Sequence, residues 1–430
     1  MRDAELALAV LQALDEARPD AMVAVVRSQL ADYLQASDIR LLLADYQLTA
    51  LRAIQDPDDR VPLRGTPAGE AFVTQHPVSR PADRAGTTVY LPVSVRGDRL
   101  GVLQLTLARR PAPARLRQLS QLAAVIGYAL SGATRQSEIV HRAARSQRLT
   151  LAAELQWQLL PGRGCRAPEY VVAGHLEPAY QVHADNFDWS QDEDQLVVSI
   201  TDAAPDSQGA SLLTTLAVTA IRNARRAGLG IADQASMADQ AVYAHHQGKK
   251  YISTLLLRID LTTGAASVVR AGSPRLLVLR DGEIHLPELS DQLPLGMFEG
   301  TDYAEEEFGV ATGDRLVLVS DGIHAVRSLT RQRFGDGRLP DLLKATAGMP
   351  AGGVVRAVID GLFAHGDLAE LDDDAAVICL DWNGPAGAPS ARLTHGAASR
   401  GSSRSSEPTR GLSVVPSPSS PDRRGRRGTG

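Results

Sequence analysis

LVVSITD, residues 196–202, is an apolar run of strand length that ends on an aspartate, and two further runs share that character. RLVLVSDG (315–322) also runs into an aspartate, Asp321, whereas DDDAAVICL (372–380) opens on three, Asp372, Asp373 and Asp374. If the third run lies antiparallel to the other two, their carboxylate groups meet at one sheet edge. A fourth candidate, Asp185, stands just upstream in QVHADNFDW (181–189). Gathered carboxylates repel unless they are protonated or share cations. Hard oxygen ligands without cysteines or clustered histidines suit Mg²⁺ or Mn²⁺ rather than zinc. Taken singly, each aspartate has a plainer reading, because Asp-Gly is a turn signal and acidic residues commonly follow strands.

Hairpin signals surround these runs. YISTLLLRID (251–260) meets Thr262-Thr263-Gly264 before AASVVR, and RLLVLR (275–280) meets Asp281-Gly282 before EIHL, so much of the sheet is expected to be antiparallel. One helix is expected among them. Leu212, Leu213, Leu216, Ala217, Ala220, Ile221 and Ala224 share a face, Arg222, Arg225 and Arg226 occupy the last turn, and Gly228 is the stop.

Residues 1–112 mix helical and strand signals into a small α/β domain. A hairpin, TTVYLPVSV and LGVLQLTL, flanks the turn Arg96-Gly97-Asp98-Arg99, and Thr66-Pro67 marks the start of a short helix. Residues 113–160 form a helical connector. Leu116, Leu119, Ala123, Ile126, Leu130 and Ala133 follow heptad steps, which fits pairing with a second copy; the alternative is ordinary helices packed on their own domain. Residues 161–382 hold the carboxylates. Residues 383–430, built from Gly, Pro, Ser, Ala and Arg, read as a disordered tail.

The chain has 430 residues, 44% hydrophobic and 22% charged, with a formal charge of -5, so no basic field for nucleic acid is indicated. Its two cysteines, Cys165 and Cys379, lack disulfide or zinc spacing, and a reducing cytoplasm fits. The N-terminus reads as an amphipathic helix rather than a signal peptide, and the weakly polar stretch from Gln118 to Thr134 is too short to span a bilayer.

From Leu151 to Trp382 the chain resembles the SpoIIE-type branch of the metal-dependent protein phosphatases, which are protein phosphatase 2C-like. AELQWQLLP (153–161) resembles the opening helix, and HADNFD stands where that family has Gly-Gly-Asp, an aromatic and Asp. TDAAPDSQGASLL stands at its Asp-Gly-Met-Gly-His-Gly segment, RAGSP at its Ala-Gly-His-Pro turn, LPLGMF at Leu-Pro-Leu-Gly, VSDGIH at Thr-Asp-Gly, and DDDAAVICL at the final Asp-Asp strand. The resemblance implies an α-β-β-α sandwich and two Mg²⁺ or Mn²⁺ ions, hydrolysing phosphoserine or phosphothreonine on a protein. Asp202 matches the bridging ligand, and Ala203 would offer its carbonyl to the first metal. Asp321 and Asp373 match ligands of the second metal, Asp185 supports the first, and Asp374 stands behind the ligands. Asp202 and Asp321 are therefore the candidate catalytic pair. The first 112 residues resemble a GAF domain, which implies a sensor for an unknown small-molecule or protein signal. The substrates to expect by family analogy are phosphorylated anti-sigma-factor antagonists.

Two departures stand out. His183-Ala184 replaces the paired glycines, and Ala203-Ala204-Pro205-Asp206-Ser207 replaces the glycine-rich segment after Asp202. Alanine and proline resist the backbone angles that glycine accepts, so the loop is expected to take a different path with altered or weakened metal binding. His183 and Asp206 are further candidate ligands, against surface or hydrogen-bonded roles. The alternative to an enzyme is a non-catalytic phosphatase-like module that binds a phosphoprotein or regulator. A receiver-like phospho-acceptor is opposed by the hairpins, since it needs a parallel sheet.

Overall fold

The computed structural model describes residues 2–18, 21–56, 58–82, 86–134, 137–145, 150–179, 184–203, 209–367 and 371–385. Almost all of the expected tail, and with it every residue beyond 385, lies outside them.

The N-terminal part comprises α1 (Arg2–Glu16), α2 (Met22–Leu34), β1 (Ser37–Ala44), β2 (Ala50–Ala53), β3 (Arg60–Pro62), α3 (Pro67–Thr74), β4 (Val78–Pro81), β5 (Thr87–Val95) and β6 (Asp98–Leu107). Its strands form an antiparallel sheet in the order β3-β2-β1-β6-β5-β4. The β5–β6 turn is only two residues long. Arg96 and Gly97 both have positive φ, 49° and 92°, the combination that matches the twist of paired strands. Thr66 caps α3 by accepting a hydrogen bond from the Gly69 N–H, and Pro67 fills the first helical position, where its missing N–H does no harm.

The connector is three helices, α4 (Pro113–Ala133), α5 (Ile139–Ala144) and α6 (Leu151–Leu159). The heptad residues Leu119, Ala123, Ile126, Leu130 and Ala133 of α4 are buried in one cluster with residues of α1, α2, β1, β5 and β6. The seam read for a second copy is thus covered within the chain, because α1, α2 and the apolar face of the N-terminal sheet pack on it.

The remaining elements are β7 (Gly164–Arg166), β8 (Tyr170–Glu177), β9 (Asn186–Asp192), β10 (Gln195–Ala203), α7 (Ala210–Arg226), α8 (Ile231–His246), β11 (Ile252–Asp260), β12 (Ala265–Ala271), β13 (Arg275–Arg280), β14 (Glu283–His285), β15 (Glu306–Gly309), β16 (Arg315–Val319), α9 (Asp321–His324), α10 (Arg338–Ala345), α11 (Ala351–Gly366) and β17 (Ala375–Trp382). They make two antiparallel sheets, β15-β12-β11-β10-β9 and β14-β13-β16-β17-β8-β7.

The layers follow from side-chain alternation. On β10, Leu196, Val198 and Ile200 enter the core shared with β16 and β17, while Val197 joins the cluster under α7 and α8. On β17, Ala376, Ile378 and Leu380 face that shared core, and Ala375, Val377 and Cys379 pack beneath α10 and α11. Both faces of each sheet are covered, which is why these antiparallel strands read as unbroken apolar runs rather than alternating ones. Burying each such valine, leucine or isoleucine contributes about 1.5–3 kcal/mol. The result is an α-β-β-α sandwich.

The N-terminal part packs on this sandwich. The Arg166 N–H donates to the Arg96 carbonyl at 2.6 Å, the Arg163 N–H donates to Asp98 Oδ1 at 2.8 Å, Arg356 of α11 donates to the Leu48 carbonyl, and Arg64 pairs with Asp360. No helix among the described residues is long and apolar enough to cross a membrane.

Candidate functional site

Strand pairing delivers the aspartates. Thr201 of β10 lies opposite Asn186 of β9, so Asp202 and Asp185 sit at the same end of one sheet. Val319 of β16 lies opposite Val377 of β17, which puts Asp321 beside the Asp373-Asp374 pair at the same end of the other. The expectation of a single sheet edge is therefore corrected. LVVSIT belongs to one sheet and the other two runs to its partner, and the carboxylates gather where the stacked edges face each other.

Electrostatics shows how close they are. Asp185 is 0% exposed, and its carboxyl is held well above the usual range by burial first and then by Asp202, Asp374 and Asp373. Asp202 is raised well above that range by burial and then by Asp321, against a 2.6 Å hydrogen bond from the Ser273 hydroxyl to its Oδ2. Burial and Asp321 push Asp373 up to about 7. The Ser320 hydroxyl partly offsets the rise at Asp185, but among the described residues neither Asp185 oxygen nor Asp321 Oδ1 makes a hydrogen bond of ordinary geometry. Among the described residues, no three carboxylate, imidazole or thiolate groups already stand in the arrangement of a coordination shell.

Asp374 behaves differently. Its Oδ1 accepts from the Ala179 N–H at 2.8 Å, and its Oδ2 accepts from Gln156 Nε2 at 2.6 Å and from the N–H groups of Ala184 at 2.8 Å and Asp185 at 3.3 Å. Gln156, 1% exposed on α6, also donates Nε2 to the Asp185 carbonyl at 2.9 Å. One amide and one carboxylate thus tie α6 and β17 to the backbone that carries Asp185.

Ala184 reaches this position with φ at 75°, a left-handed conformation ordinarily left to glycine. Its N–H is held by Asp374 and its carbonyl accepts from the Thr214 hydroxyl at 2.7 Å, so alanine follows the path expected only of glycine. The expectation that alanine resists such an angle is corrected at Ala184, where both hydrogen bonds hold it. His183 and residues 204–208, including Asp206, lie outside the described residues. Ala203 closes β10, fully buried and opposite Ile252.

Several contributors escaped the sequence reading. Gln156 sits inside a motif that was quoted only as a helix. Ser273 presents its hydroxyl to Asp202 and its carbonyl to His324 Nε2 at 3.0 Å, and burial and then Arg275 lower that imidazole to about 4. Asn186 is buried with neither amide atom partnered. Arg222 and Arg225, expected as last-turn cations of the helix, instead reach Asp188: Arg222 Nε and an Nη donate at 3.0 and 2.8 Å, and Arg225 donates at 2.9 Å.

Residues 192–383 match the family model "Stage II sporulation protein E (SpoIIE)". No curated protein matches the chain. Among solved structures, the RsbU and RsbW domains of Rv1364c from Mycobacterium tuberculosis are 22% identical at a TM-score of 0.44, over 51% of this chain and 61% of that one, so less than two thirds of that relative is spanned. The SiaA-PP2C domain of Pseudomonas aeruginosa is 21% identical at 0.46, over 54% and 94% of the two chains. The phosphatase domain of SpoIIE from Bacillus subtilis, with a fragment of its regulatory domain, is 15% identical at 0.42, over 50% and 64%. Over residues 192–383, the chain is thus similar to the SpoIIE family, whose model it matches there.

Proposed function

We propose that the chain is a metal-dependent protein serine/threonine phosphatase whose N-terminal GAF-like part is a sensor. The observation that carries this reading is the buried carboxylate edge: among the described residues Asp185 makes no side-chain hydrogen bond of ordinary geometry and lies beside Asp202 and Asp373, while Asp374 spends both of its oxygens on holding the backbone. Such an edge fits divalent cations, because buried hard oxygen donors of one charge sign are what Mg²⁺ or Mn²⁺ bind. Asp202 would be shared between two ions, the Ala203 carbonyl and Asp185 would serve the first, and Asp321 and Asp373 would hold the second. When bound, the ions supply acidified water and neutralise phosphoryl charge.

The chain's own residues do the rest. The Ser273 hydroxyl orients Asp202, Gln156 and Asp374 hold the Asp185 backbone, and the strand ends keep the aspartates in register. The substrate by this reading is a phosphoserine or phosphothreonine protein, with a phosphorylated anti-sigma-factor antagonist the first to try. The test is Mn²⁺-dependent phosphate release from p-nitrophenyl phosphate and from a phosphoserine protein. Turnover by wild type that is lost in Asp202→Ala and Asp321→Ala is expected. A folded wild type with neither turnover nor Mn²⁺ binding would leave the second reading, a phosphatase-like binding module, which the altered segment after Asp202 favours.

A further inference from the structure

A cavity of about 250 Å³ lies where β1, β6, α4, α5 and α6 meet the β8–β9 end of the sandwich. It opens to solvent on one side, between partly exposed Tyr46, His141 and Trp157, so a small molecule can enter it. A cavity of about 150 Å³ accepts benzene, which makes the present one large enough for a molecule of one or two rings.

The walls describe that molecule. Leu43, Leu100, Leu130 and Val140 supply aliphatic surface. Tyr46 and Trp157 stack on each other at 4.7 Å between centroids and 22° between planes, so the pair meets the cavity with ring edges and outer faces, and Phe187 adds a third ring. Such rings favour a planar aromatic guest through edge-to-face or offset contact. Polar groups are few. Tyr46 Oη and His141 Nδ1 share a hydrogen bond of 3.1 Å, which leaves the second imidazole nitrogen to meet one donor or acceptor of a guest.

On the rim, Arg163 is attracted by the charges of Asp98 and Asp45, and its hydrogen bonds are satisfied within the protein. The Arg163 guanidinium donates to the carbonyls of Arg99, Ala44 and Asp45, and the Asp98 carboxyl accepts from the Arg163 N–H. A charged guest would disturb this balance; an uncharged one would not.

We infer that this cavity is a binding site for a small, planar, uncharged aromatic molecule carrying one hydrogen-bonding group. The inference does not depend on phosphatase activity. Its walls come from both the N-terminal part and the sandwich, so occupancy is read by both. Trp157 adjoins Gln156, the residue that holds the Asp185 backbone.

The probe is indole, titrated by calorimetry into the full chain, with the imidazole proton signals of His141 followed by NMR. Saturable one-to-one binding is expected, with a shift of the His141 signals and loss of the isotherm in Ala144→Phe, which places a ring in the space. Thr134→Trp at the rim serves as the second filling variant should Ala144→Phe melt early. No saturable binding by folded wild type would overturn the inference. So would binding that leaves His141 unmoved or survives both substitutions, since indole would then sit elsewhere.

Discussion

Asp185 and Asp188 stand three residues apart on the same stretch of chain, both buried, at 0% and 3% exposure, yet their surroundings are opposite. Asp188 points toward α7, where Arg222 grips both of its oxygens and Arg225 adds a third bond. Asp185 has no cation among its neighbours and three other carboxylates pressing on it. The fold supplies its own positive charge where a carboxylate is structural. At the sheet ends the described residues supply none to Asp185, which in a folded protein is tolerable only with protons or external cations.

The largest effects should come from the sheet ends. Asp202→Ala or Asp321→Ala should lower Mn²⁺-dependent turnover by about a thousandfold, ~4 kcal/mol of transition-state stabilisation, in steady-state assays. Removing the arginine from the other carboxylate should act on folding instead. Arg222→Ala leaves Asp188 with a single cation and should cost about 3–5 kcal/mol in urea unfolding. Were Arg222→Ala harmless, the contrast between the two carboxylates would fail.

Protons offer a milder probe. Asp373 is raised to about 7 in the fold, so its folded form holds a proton more tightly than the unfolded chain does. That contribution to stability is complete below the unfolded carboxyl range and is lost as pH rises through about 7. Metal-free protein should therefore lose stability between about pH 4 and 7, by at most ~1.4 kcal/mol per pH unit for each such group. Asp373→Asn should flatten the slope in denaturation curves, and Mn²⁺ should reverse it.

The smallest effect concerns Ala184. Glycine there would relieve a left-handed strain of about 1–2 kcal/mol while adding freedom to the unfolded chain, for a net gain of about 1 kcal/mol or less. Thermal melts of Ala184→Gly against wild type measure it. A loss of stability would mean that the backbone near Asp374 is not strained.

The sandwich was readable because its signals are local: strand-length apolar runs, turn pairs such as Asp281-Gly282, and an amphipathic α7. The aspartates were readable for the same reason, each sitting at the end of a run. What escaped depended on distance in the chain. Gln156 meets Asp374 across 218 positions, and nothing about a glutamine in an amphipathic helix points to a carboxylate that remote. The heptad steps of α4 do not say whether the partner is a second helix or the chain's own sheet, since either presents an apolar strip. The split of the aspartates between two sheets was hidden because strand patterns carry no record of which strands pair.

Calorimetric titration of Mn²⁺ into metal-free wild type and Asp185→Asn tests the contrast most directly. Saturable binding by wild type, weakened in Asp185→Asn and unchanged in a folded surface control such as Leu329→Ser, is the expected result. Folded wild type that takes up no Mn²⁺ would contradict it, and the buried charge at the sheet ends would then be held by protons alone.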